Sequence, residues 1–143
     1  MNVSQLGYVI INSLDISKWN SFGTDILGLM LDEQSSNDDT LIFRMDDHPS
    51  RLIIQSSDED KLKAVGWQFP DKESFESVID SLEKAGVTTV KGSSEEAAFR
   101  GVADYASASD LAGNPIEVYY GRTNLKDDFK SPQCVDYFCT GEM

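Results

Sequence analysis

Short runs of apolar residues, broken by stretches of helical period, follow one another along this chain in an order that occurs twice. Residues 6–12, Leu-Gly-Tyr-Val-Ile-Ile-Asn, predict a strand. Asp15 or Ser17 can then cap a helix. Ile16, Trp19, Phe22, Ile26 and Leu27 recur at helical spacing as its buried stripe, and Gly28 is placed to stop it in a left-handed conformation. Short strands are predicted over 29–33, 40–45 and 51–55, the last two forming a hairpin around Asp46-Asp47-His48-Pro49-Ser50. A second series follows. It has a strand over 62–69 and a helix capped by Asp71 with Phe75, Val78, Ile79, Leu82 and Ala85 on one face. Gly86 is its stop, and a strand over 87–90 comes next. Ser93 and Glu96 form a capping box ahead of a helical turn at 95–99. Strands over 102–109 and 116–120 flank a turn at 110–114.

Each series reads β-α-β-β-β. Landmarks agree in order: Gly7-Tyr8 with Gly66-Trp67, Asp15 with Asp71, and Leu27-Gly28-Leu29 with Ala85-Gly86-Val87. That agreement indicates an internal duplication. One helix cannot cover both faces of a four-stranded sheet, so two such modules are expected to pair around a shared concavity. The expected class is α+β, a curved, partly open mixed sheet with helices outside. The modules fall at 1–56 and 57–121. Residues 122–143 are polar and irregular, with apolar Val135, Tyr137 and Phe138, and read as a linker towards a further domain.

The length of 143 residues suits one domain or two small modules sharing a core. A net charge of −13 repels nucleic-acid phosphates and anionic membrane surfaces. No basic-then-apolar leader and no long apolar run appears, so the expected location is cytoplasmic. Cys134 and Cys139 are not spaced as C-x-x-C and have no His beside them; they read as reduced thiols. His48 is the single histidine, which rules out any site needing two imidazoles from this chain. Its place in the acidic turn, between Asp47 and Pro49, predicts an exposed loop position. Asp38-Asp39, Asp46-Asp47 and Asp58-Glu59-Asp60 read as solvated turns.

Glu117 stands out among the candidate site residues. It lies between Ile116 and Val118 in the last strand, which a Gly-Asn-Pro turn opens and Gly121 closes. A carboxylate in so apolar a strand faces either solvent or a partner. It reads as a structural carboxylate accepting a hydrogen bond in a filled concavity; the alternative is a ligand shared with another group. Trp67, Tyr105, Tyr119 and Tyr120 could fill that concavity or line a ligand pocket, and filling is the favoured expectation.

The paired β-α-β-β-β units, the opening Leu6-Gly7-Tyr8, Trp19…Phe22…Leu27-Gly28-Leu29-Met30, the strand 113–121 and the tail from Phe129-Lys-Ser-Pro132 to Phe138-Cys-Thr-Gly-Glu142 carry a family resemblance. The chain resembles the vicinal oxygen chelate superfamily (the glyoxalase/bleomycin resistance/dioxygenase fold). Within it, the chain is similar to the N-terminal domain of two-domain type I extradiol dioxygenases that cleave catechol- or 2,3-dihydroxybiphenyl-type rings. The resemblance implies a parent enzyme using Fe(II) and O2 in aromatic or steroid degradation, with its iron in a second, C-terminal domain. By duplication, the ligand positions correspond here to Tyr8, Ala64 and Glu117, of which only Glu117 is a carboxylate. The resemblance therefore implies vestigial ligand positions, no catalytic residue, metal or cofactor in this segment, the C-terminal domain as its partner, and homo-oligomer contacts. A stand-alone small-molecule-binding protein of the bleomycin-resistance type is the alternative. A third reading, a glyoxalase-like metal enzyme, would draw on Gln55, Gln68 and Glu117.

Overall fold

The computed structural model describes residues 2–134; Val135, Tyr137, Phe138 and Cys139, singled out above, lie outside the described residues. The expected α+β class is present. The strands are β1 (Gln5–Ser13), β2 (Met30–Leu31), β3 (Thr40–Arg44), β4 (Leu52–Ser56), β5 (Lys61–Phe69), β6 (Val90–Lys91), β7 (Asp104–Ser109) and β8 (Pro115–Tyr120). The helices are α1 (Ser17–Ser21), continued by a π-helical turn Phe22–Ile26, then α2 (Lys72–Lys84) and α3 (Ser94–Arg100). The strand order is β2-β3-β4-β1 in the first series and β6-β7-β8-β5 in the second, the same permutation. β5 and β8 are parallel, whereas β3–β4 and β7–β8 are antiparallel, so the pairing is mixed.

The chain divides into two compact units. One comprises the chain up to Val9 with Leu62–Thr123; the other comprises Ile10–Lys61 with the described residues from Asn124 onward. β1 thus contributes its first half to one unit and its second half to the other.

In the first unit, α2 starts where Asp71 accepts from the Ser74 N–H at 2.7 Å. It buries Phe75 and Val78 against Phe69, Ala106 and Val118, with Ile79, Leu82 and Tyr120 at the margin. The expected strand at 87–90 shrinks to Val90–Lys91, because the Val87 N–H is taken by the Leu82 carbonyl at the end of α2. α3 begins with the expected capping box: Glu96 N–H donates to Ser93 Oγ, and Ser93 N–H donates to the Glu96 carboxylate.

In the second unit, Leu29, Phe43 and Ile54 are the buried centre, with Ile16 and Trp19 packed against them. The helical stripe differs from expectation. Phe22, Ile26 and Leu27 are 44%, 70% and 47% exposed, and Gly23 is buried instead. A Cβ at Gly23 would come within 2.6 Å of the Phe43 ring, so the helix backbone rests directly on that ring. The Leu27 N–H bonds to the Phe22 carbonyl, five residues back. This π turn rotates the later apolar positions outward, which a 3.6-residue period cannot anticipate.

His48 corrects a second expectation, for it is fully buried. Asp46 Oδ1 accepts from its N–H at 2.9 Å, and its Nδ1 accepts from the Ser50 N–H at 3.3 Å. Asp46 is no solvated turn residue either, since Arg51 grips its carboxylate and both side chains are nearly buried. The later segment supports this turn: Leu125 N–H donates to the Asp47 carbonyl, and Arg44 Nη2 donates to the Asp127 carbonyl.

Candidate functional site

β8 pairs with β5 and β7 so that Glu117 stands beside Gly66 and Ser107. Strand alternation turns Val118 towards α2 and Glu117 and Tyr119 to the opposite face. Glu117 is only 4% exposed there. A buried carboxylate demands a partner, and the partner is Arg100, the last residue of α3. Its Nε donates to Oε2 and its Nη2 to Oε1, both at 2.7 Å, a bidentate ion pair. Gly101 follows in the left-handed conformation at φ 69° and ends the helix. Arg100 also donates from Nη1 to the Glu96 carbonyl, and its guanidinium carbon lies 4.0 Å from the Tyr105 ring centroid.

Tyr8 supplies the third bond, donating its hydroxyl to Glu117 Oε2 at 2.6 Å. Its ring stacks on Tyr119 at 5.2 Å and lies over Gly66, where a Cβ would come within 2.4 Å of it. Tyr119 and Gln5 both donate to Gln68 Oε1.

The electrostatics hold Tyr8 and Arg100 in fixed protonation states. Burial, then the charge of Glu117, raise the Tyr8 pKa, so the phenol remains a hydrogen-bond donor. For Arg100, burial opposes the charge, but the hydrogen bonds and charge of Glu117 outweigh it and raise the pKa.

The structure brings two of the three sequence-predicted positions, Tyr8 and Glu117, into direct contact. Ala64 is buried on β5, on the same face as Gly66. Arg100 escaped the sequence reading. A basic residue at the end of a short helix commonly complements the helix dipole, so its position carries no signal of a buried partner. Of the four aromatics considered as filling, Tyr105 and Tyr119 take part here. Trp67 is 36% exposed, and Tyr120 packs on Phe75. Gln68 belongs to this face, whereas Gln55 lies on β4 opposite Thr40 in the other unit. Among the described residues, no three or more His, Cys, Asp or Glu side chains are grouped to hold a metal ion. No helix among them is long and apolar enough to cross a membrane.

Comparison with known proteins finds relatives of this chain. The domain family described as dihydroxybiphenyl dioxygenase BphC D1 matches residues 6–56. An iron-dependent extradiol dioxygenase of Rhodococcus jostii is 34% identical over 121 residues, covering 85% of this chain and 40% of that protein. A 3-methylcatechol 2,3-dioxygenase of Pseudomonas putida is 34% identical over 144 residues, covering 100% of this chain and 49% of that one. Among solved structures, BphC, a halotolerant catechol dioxygenase, superposes with a TM-score of 0.84 at 27% identity, covering 91% of this chain and 43% of the other. The chain spans about half the length, or less, of the curated relatives it matches, and the matched part is their N-terminal portion. By sequence and by fold, the chain is similar to the N-terminal portion of extradiol dioxygenases.

Proposed function

We propose that the chain is the non-catalytic N-terminal domain of a two-domain extradiol dioxygenase that cleaves catecholic rings with O2 and Fe(II). In this reading residues 1–56 and 57–121 are its two modules, and 122–143 lead to the catalytic domain. The parent enzyme is cytoplasmic, homo-oligomeric and active in aromatic-compound degradation.

One observation carries the reading: the Glu117 carboxylate is already closed by Arg100 and Tyr8. The residues present do not fit an iron ion. Ring cleavage needs a metal with several protein ligands and open positions for a catecholate and oxygen. Ala64 has no donor atom, the Tyr8 phenol is held protonated, and a cation at Glu117 would have to displace a guanidinium 2.7 Å away. We therefore read Tyr8, Ala64 and Glu117 as vestigial positions at which an internal cation, Arg100, balances the surviving carboxylate. No chemical step is assigned to them.

The reading frame beyond Met143, together with iron content and catechol turnover, tests this. The 143-residue chain is expected to hold no stoichiometric iron and to leave catechol unchanged, and the chain extended in its own frame is expected to have both. A stop codon directly after Met143, or iron-dependent ring cleavage by the 143-residue chain, overturns the reading.

A further inference from the structure

The π-helical turn leaves Phe22, Ile26 and Leu27 turned out of the second unit's core, with Ile26 70% exposed. Three large apolar side chains on one turn form a patch of the kind that marks an interaction surface. The end of the described chain is anchored at this same turn. Ser131 Oγ donates to the Gly28 carbonyl, and Gln133 Nε2 donates to the carbonyls of Thr24 and Asp25. These bonds occupy acceptors at the helix C-terminus, which a helix cannot satisfy internally. They hold Ser131 and Gln133 beside the turn that carries the apolar patch. Residues 135–143 can span at most about 32 Å, whatever their conformation. Anything that follows Met143 therefore starts within that distance of Cys134.

We infer that Phe22, Ile26 and Leu27 are the seat on which the following domain of the same polypeptide docks. The inference rests on the reading of this chain as an N-terminal domain. Relatives more than twice this length supply the occupant, because the chain covers 40% and 49% of two of them. Tethering gives that domain a high effective concentration at the patch. A second copy of the chain lacks that advantage and meets the repulsion of a net charge of −13.

The test uses the chain extended in its own reading frame, as wild type, Ile26→Glu and Leu111→Glu. Leu111 is wholly exposed in the turn before β8 and serves as the control. Limited proteolysis between residues 124 and 143 reads the docking, and circular dichroism confirms that each variant is folded. Ile26→Glu is expected to be cut about tenfold faster than wild type, since undocking frees the connection. Leu111→Glu is expected to be cut at the wild-type rate. Should Ile26→Glu not fold, Leu27→Ser must show the same acceleration. Wild-type cleavage of the patch variant, with a second domain present, overturns the docking and leaves the domain reading intact. A concentration-dependent dimer that Ile26→Glu abolishes also overturns it, by making a second copy the occupant. A frame that stops after Met143 removes the domain reading, and this inference with it.

Discussion

Arg100 and Glu117 meet through two hydrogen bonds of 2.7 Å, with side chains only 9% and 6% exposed. Replacing a buried ion pair by apolar groups is often neutral, whereas removing one partner strands a charge in the interior. Glu117→Gln and Arg100→Ala should each lose about 3–5 kcal/mol of stability. The double variant Arg100→Met/Glu117→Leu should lose less than either single variant. Urea denaturation gives all three values, and singles that cost under about 1 kcal/mol would show the pair to be incidental.

Tyr8 adds the remaining bond to this carboxylate. A hydrogen bond to a charged group contributes about 1.5–3 kcal/mol, so Tyr8→Phe should destabilise by that amount while keeping the ring stacked on Tyr119. Gly66→Ala should cost about 1–3 kcal/mol by forcing the Tyr8 ring aside. Because the clash is with ring carbons, Tyr8→Phe should not relieve it. Thermal or urea unfolding of the two singles and the double variant checks this.

His48 distinguishes the structure from the local sequence. An exposed turn residue tolerates truncation within about 0.5 kcal/mol. A fully buried imidazole whose Nδ1 accepts from Ser50 should not, and His48→Ala is expected to cost about 2–4 kcal/mol. A neutral result would mean that the turn opens in solution.

Acid should weaken the fold through Asp46. Burial acts to raise its pKa, but the hydrogen bonds from Arg51 and from the His48 N–H outweigh burial and lower it below the ordinary carboxylate value. A depressed folded pKa means stability that is fully present above the unfolded value of about 3.9 and is lost as pH falls through the lower folded value. Urea midpoints should therefore fall steadily below about pH 5. Asp46→Asn should be less stable than wild type at pH 7 and show a shallower acid limb. Equal acid slopes in the two proteins would assign the loss to other carboxylates.

Chelation should do nothing. A ligand stabilises the folded state in proportion to its binding, so removing a metal that the residues cannot hold leaves the unfolding midpoint unchanged. A fall in midpoint after dialysis against EDTA, restored by Fe(II), would show that Glu117 takes a metal after all.

Local chemistry by itself determined most of the scaffold. The Asp71 cap, the Ser93–Glu96 capping box and the left-handed Gly28 and Gly86 act within a few residues, and the structure places them as their sequences dictate. The repeated order of elements announced the repeated strand permutation. Tertiary packing decided the rest. Tyr8 and Glu117 lie 109 residues apart, and Arg100 and Glu117 lie 17 apart, so no local period links them. Glu117 was recognisable as a carboxylate in want of a partner, but which cation answered it depended on α3 bringing Arg100 to it. His48 was buried by a turn supported from Leu125 and Asp127. Phe22 and Ile26 faced outward because the backbone at Gly23 settled on Phe43, a contact that only the assembled unit creates.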